Sequence, residues 1–277
     1  MSRDTWLDPQ FGLVATTITV ALVVFHLVVS PPRQRARYRR LVQQRAVDPT
    51  ALSRFYRAAL TRQAIGTALV LIAVLATTGI EWRDVGLVWP HGSQVGQAWG
   101  SVAYLCALVA ASGLVLRRRA LSGRTVPGQR LFAALVPATP GERRLGAAVA
   151  FGAGIAEEFV FRGLFIAAGV SLLGLEPLVS ATVVSVLFGL AHFYQGWLGM
   201  LGTGFAGVLL SLLYLMSGSL LVPIIVHVVI DLRALVLVPA QRPDAVRRGP
   251  RRPRRSRSAR PAADLQYSVG EDRPVLP

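Results

Sequence analysis

The sequence predicts an all-α fold: a polytopic membrane helix bundle of about seven transmembrane helices, followed by a disordered arginine-rich C-terminal tail. Three observations carry that prediction. At 53% hydrophobic and 16% charged residues, the 277-residue chain lies far from a soluble domain, whose charged fraction is nearer about 25%. Uncharged runs close to the roughly 20 residues that cross a hydrocarbon core recur along it. Its 30 basic residues, every one an arginine, stand against 14 acidic ones and are segregated into a few stretches. So apolar a composition also excludes disorder of the whole chain.

The first run, 11–29, closes on Ser30-Pro31-Pro32 and a stretch of arginines that begins at Arg33. Asp4 and Asp8 beside Arg3, and the lack of a small-x-small cleavage site, favour a retained anchor over a cleaved signal peptide. Runs 64–80 and 98–116 follow, separated by a nearly neutral loop with Glu81, Arg83, Asp84 and His91. Pro127, Pro137 and Pro140 argue against a long regular helix in the basic stretch 117–144. The fourth run, 145–170, is interrupted by Glu157, Glu158 and Arg162, and 178–194, 198–216 and 220–238 complete the set.

Seven spans put 30–63, 117–144 and the tail from 239 on one side, and these hold 9, 7 and 10 of the arginines. The positive-inside rule then makes those segments cytoplasmic, with the N-terminus outside and the C-terminus cytoplasmic in a multi-pass cell-membrane protein. The expected organisation is a three-span membrane region with basic cytoplasmic loops over 1–144, a four-span core over 145–238, and a basic disordered tail over 239–277. In the tail, arginines interleaved with proline and serine cannot pack a core and suit anionic lipid headgroups. Apart from Tyr267 it lacks aromatics for base stacking, so no nucleic-acid partner is expected. Cys106 stands alone, which excludes an intrachain disulfide and a cysteine-based metal site.

The last four runs contain residues that do not belong in hydrocarbon: Glu157, Glu158, Arg162, His192, His227 and Asp231. Each acid or base at a bilayer centre costs roughly 2.5 to 3.5 kcal/mol, so such groups face a bundle interior or a wet cavity and mark function. Positions four apart share a helix face, which pairs Glu158 with Arg162 and His227 with Asp231. Glu157 points elsewhere and is free for chemistry. Snorkelling to the interface is the other reading of Arg162. Phe188, four before His192, walls a pocket with Ser185 and Gly189 nearby. Gly146, Ala150 and Gly154 form a small stripe for close helix approach, as do Gly199, Thr203, Gly207 and Ser211 on the uncharged sixth run. Depth along the helices requires the fifth run to continue past Tyr194 toward Trp197, with the site opening to the cytoplasm.

Taken together, Glu157, Glu158 and Arg162 (EExxxR), Phe188 and His192 (FxxxH), and His227 and Asp231 (Hxxx(N/D)) resemble the CPBP intramembrane protease family, the CAAX proteases and bacteriocin-processing or Abi proteins. The resemblance covers about residues 140–238; the first three runs and the tail carry no motif of it. It implies hydrolysis of a peptide bond near the membrane, with Glu157 and His192 activating a water and His227 with residue 231 stabilising the oxyanion. Its substrate would be a peptide or membrane protein. Many relatives have asparagine where this chain has Asp231, and an ionised aspartate only accepts hydrogen bonds. Either Asp231 is protonated or it orients His227.

Glu157, His192, His227 and Asp231 also form a plausible nitrogen and oxygen ligand set for a divalent metal such as zinc, although the HExxH signature is absent. The metal-free glutamate and histidine mechanism is preferred. Two other function classes use the same residues: a non-enzymatic immunity or scaffold protein held together by the polar network, and a proton-coupled or haem-bearing transporter using the histidines.

Overall fold

A computed structural model describes residues 7, 9–127, 129 and 133–239; the tail expected to be disordered lies outside the described residues apart from its first position. Among these residues the chain is helical, without strands. Helix α1 runs Leu13–Gln44, α2 Ala51–Leu75 and α3 Val95–Leu121. Helix α4 is built of Pro140–Glu158, a π-helical stretch Phe159–Phe165 and Ile166–Leu173. Helix α5 spans Pro177–Ala191, α6 Trp197–Ser217, and α7 Leu221–Leu232 followed by a π turn Arg233–Leu237.

Helices α1, α2, α3 and α6 are long and apolar enough to cross a membrane. Large apolar side chains such as Leu13, Leu75, Tyr104 and Phe205 stand two-thirds or more exposed on the outside of the bundle. An apolar exterior of that extent belongs against lipid. The chain is a multi-pass membrane protein.

The arginine-rich stretches differ from expectation. Rather than a loop over 30–63, α1 continues through Ser30–Gln44 and α2 begins at Ala51. Likewise α3 carries Arg117, Arg118 and Arg119 inside its last turns. Arginine is a good helix former, and extending a helix past the apolar slab keeps backbone groups bonded. Pro31 and Pro32 are tolerated because they open the new helical segment just after a π turn, Phe25–Val29.

Helix α4 opens with a capping box in which Thr139 and Glu142 satisfy each other's backbone N–H groups, both at 3.2 Å. The same Glu142 takes a 2.5 Å bond from Arg45 at the end of α1, and Arg45 also donates to the carbonyl of Val136 at 3.0 Å. Burial alone would raise the Glu142 carboxyl, but hydrogen bonds from Arg45 and the N–H groups of Ala138 and Thr139 hold it below its ordinary range. Tyr56 of α2 donates its hydroxyl to the carbonyl of Leu135. These contacts join the arginine-rich ends of α1, α2 and α4.

Close helix packing sits where the small-residue stripes predict it. A Cβ on Gly154 would lie 2.5 Å from Cγ2 of Val228, so α4 and α7 approach at that glycine. One on Gly207 would lie 3.2 Å from Phe188, and one on Gly146 3.3 Å from Pro137. Helices α5 and α6 meet through Gly189, whose Cβ would fall 3.2 Å from the Cα of Gly204.

At the opposite end, the loop joining α2 to α3 folds over the α6–α7 turn. Gly86 accepts a bond from the N–H of Leu220 at 2.8 Å, Ser219 donates its hydroxyl to Val88, and His91 donates its N–H to Ser217 at 2.9 Å. Val85 is fully buried, and its carbonyl would be 3.0 Å from a Cβ on Gly163. Only a glycine fits Gly86, at φ +70 and against Tyr214.

Candidate active site

The π stretch of α4 begins immediately after the two glutamates. A π turn inserts an extra residue into the α-helical register and is common at functional sites. Here it sets the directions of the polar side chains. Arg162 and Glu158 are both 0% exposed, and Nη1 of the arginine donates to Oε1 of the glutamate at 2.8 Å. Nη2 donates to the carbonyl of Gly207 at 3.1 Å and Nε to Ser211 at 3.4 Å. Its Cζ lies 4.4 Å from the centre of the Phe188 ring, a cation–π contact. Arg162 is therefore an interior residue and does not snorkel.

Glu158 has a second partner. His227 of α7 places Nδ1 2.6 Å from the same Oε1. Asp231, one turn further on α7, lies 3.9 Å from Nε2 of His227. The glutamate, not the aspartate, orients the imidazole, because it occupies the Nδ1 side while Asp231 lies on the opposite nitrogen.

Glu157 is the exposed member of the pair, at 29% of its side chain. Its Oε2 lies 3.7 Å from Nε2 of His192 and 3.8 Å from Nε2 of His227. Helix α5 stops at Ala191 rather than running on toward Trp197. His192 caps it, Phe193–Gln195 form a 3-10 turn, and Gly196 at φ +82 reverses the chain into α6. This break brings the imidazole to Glu157 without a longer helix. Phe188 backs it, with ring centres 4.6 Å apart, and also meets His227 edge-on at 6.0 Å.

Donors and acceptors fix the character of the cavity. Nδ1 of His192 faces only the carbonyl of Phe188, at 2.7 Å, so it carries the proton and Nε2 is the acceptor in the neutral ring. His227 is bonded through Nδ1 to the Glu158 carboxylate, and its Nε2 faces Glu157 and Asp231. The His192 lone pair and the Glu157 carboxylate converge, with Nε2 of His227 and Asp231 adjoining. An occupant must therefore bring hydrogen to the site, and water does. Among the described residues no three histidine, cysteine, aspartate or glutamate side chains gather closely enough to hold a metal ion.

Several residues of the site escape the motif reading. Ser211 and the carbonyl of Gly207 ligate Arg162, and Ser185 hydrogen-bonds Ser211 at 3.2 Å. Tyr194 lies beside His192, ring centres 6.0 Å apart. His26 of α1 packs edge-on against Phe161 and Phe165 of the π stretch, at 5.3 and 6.1 Å. A lone histidine in the middle of an uncharged run was the available signal for His26.

A glutamate and two histidines thus converge in the interior of an apolar helical bundle. Residues 141–233 match the family model of Type II CAAX prenyl endopeptidase Rce1-like proteins, consistent with the CPBP family. The matched segment begins one residue into α4, ends at the first residue of the last π turn, and contains every motif residue named above. No curated protein and no solved structure matches the chain.

Proposed function

We propose that the chain is an intramembrane endopeptidase that hydrolyses a peptide bond of a peptide or membrane-protein substrate with a water activated by Glu157 and His192. The supporting observation is the convergence of Glu157 Oε2 on Nε2 of His192 and Nε2 of His227 at 3.7 and 3.8 Å. Water held there donates one proton toward Glu157, and its oxygen attacks the carbonyl carbon. The carbonyl oxygen becomes an oxyanion as the new C–O bond forms. His227, protonated on both nitrogens, donates Nδ1–H to Glu158 and Nε2–H to that oxyanion. The C–N bond then breaks, and the proton taken from water passes to the leaving amine. Fixed donors at a developing charge supply several kcal/mol to such a step. Glu158 and Arg162 hold this geometry and do not meet the substrate.

The chemistry resides in the four-helix unit 145–238, bordered by the three-helix region 1–144. The arginine asymmetry supports a cell-membrane orientation with the N-terminus outside and the site opening to the cytoplasm. Purified wild type in detergent should cleave members of a peptide library, and Glu157→Gln should lose about 10²- to 10⁴-fold in rate with an unchanged melting temperature. Undiminished cleavage by that variant removes Glu157 from the mechanism and favours a purely structural network.

A further inference from the structure

Tyr194 borders the site without taking part in the hydrolysis described above. It follows His192 by two residues, half-buried on the 3-10 turn Phe193–Gln195, and its ring centre lies 6.0 Å from that of the imidazole with the planes inclined at 34°. Rings at that separation attract each other.

His192 needs such support, because α5 ends at Ala191 and the histidine sits at its cap. The contact of Nδ1 with the carbonyl of Phe188, at 2.7 Å, fixes one point of the imidazole and leaves rotation about that point. The Phe188 ring, 4.6 Å away and inclined at 59°, limits the rotation from α5, and Tyr194 meets the imidazole as a second ring. Tyr194 is itself held. Nε2 of Gln195 donates to its hydroxyl at 3.2 Å. Gln195 in turn lies against α6, where a Cβ on Gly199 would fall 2.5 Å from the glutamine Cβ. Thr203 of α6 divides its single proton between the carbonyl of Gly199 at 2.8 Å and Oε1 of Gln195 at 3.3 Å. The segment Ser30–Gln44 of α1 also packs against this turn.

We propose that Tyr194 is a positioning residue for His192: its ring, tethered to α6 through Gln195, fixes the rotation of the imidazole that leaves Nε2 facing Glu157. This rests on the peptidase reading above. The 3.7 Å between Nε2 and Oε2 of Glu157 is too long for a direct hydrogen bond, so water shared by the two groups depends on how the imidazole is turned. A displacement on the order of 1 Å there costs about 10²-fold in rate.

The test compares wild type, Tyr194→Leu, Tyr194→Phe, His192→Ala, the double variant Tyr194→Leu/His192→Ala and Glu157→Gln as full-length proteins in detergent with one cleaved peptide. Leucine removes the ring, so kcat should fall about 10²-fold with KM and melting temperature unchanged. Phenylalanine keeps the ring without its tether and should stay within about 10-fold of wild type. Because the tyrosine acts through the imidazole, the double variant should cleave no more slowly than His192→Ala alone. If Tyr194→Leu does not fold, Tyr194→Met replaces it. Wild-type kcat in the folded variant, a loss carried by KM, a phenylalanine variant as slow as the leucine one, or a further loss in the double variant overturns the role of Tyr194 and leaves the peptidase reading standing. Absence of cleavage by wild type, or full activity of Glu157→Gln, overturns both.

Discussion

His227 is tied to Glu158 and not to Asp231: its Nδ1 lies 2.6 Å from the glutamate, and its other nitrogen 3.9 Å from the aspartate. Two adjacent glutamates thereby take different work. Glu158 is fully buried and committed to Arg162 and His227, whereas Glu157 is partly exposed and faces the open nitrogens.

The Glu158–Arg162 pair should behave as a structural unit. Arg162→Met leaves a buried carboxylate without its counter-ion and should cost about 3 to 5 kcal/mol. Pairing it with Glu158→Gln removes the orphaned charge and should recover part of the loss. Thermal unfolding of wild type and the two variants in detergent gives the comparison; equal stability of the single and double variants would contradict it.

Asp231 lies 3.9 Å from Nε2 of His227, so an amide there adds a donor beside that nitrogen without changing size. Asp231→Asn should match or exceed wild-type kcat at neutral pH, while Asp231→Ala should fall below it. Steady-state cleavage rates at fixed protein concentration decide the order.

The close approach of α4 and α7 is a steric requirement at Gly154. A methyl group there meets Cγ2 of Val228 at 2.5 Å, so Gly154→Ala should push Glu157 away from His227 and cost about 10²-fold in turnover. Val228→Ala in the same chain removes the offending methyl and should restore much of the rate. A single variant with wild-type turnover would show that the helices yield freely.

The Arg45–Glu142 clasp should be acid-sensitive. Because its folded carboxyl is held below the ordinary value, the stabilisation is whole above about pH 4.3 and is lost as pH falls through the lower folded value. Wild type should lose melting temperature over that window. Glu142→Gln, which starts about 1 to 3 kcal/mol less stable, should lose less on acidification.

Much of this was readable in the chain. Four-residue spacing paired Glu158 with Arg162, and the stripe ending at Gly154 foretold a close helix approach, which the structure makes with Val228. Spacing alone failed where helices depart from α geometry. The ends of α1 and α2 were hidden because arginine marks a membrane boundary and also propagates a helix. The i,i+4 contact of His227 with Asp231 was legible, whereas its shorter bond to Glu158 was not, because Glu158 arrives from another helix.

The loop that packs Val85 against Gly163 and ties Val88 and Gly86 to the α6–α7 turn has a consequence for traffic. It stoppers the bundle about a turn and a half beyond Glu157 and Glu158, counting along α4. A molecule travelling to Glu157 therefore has to arrive by some way other than this covered end.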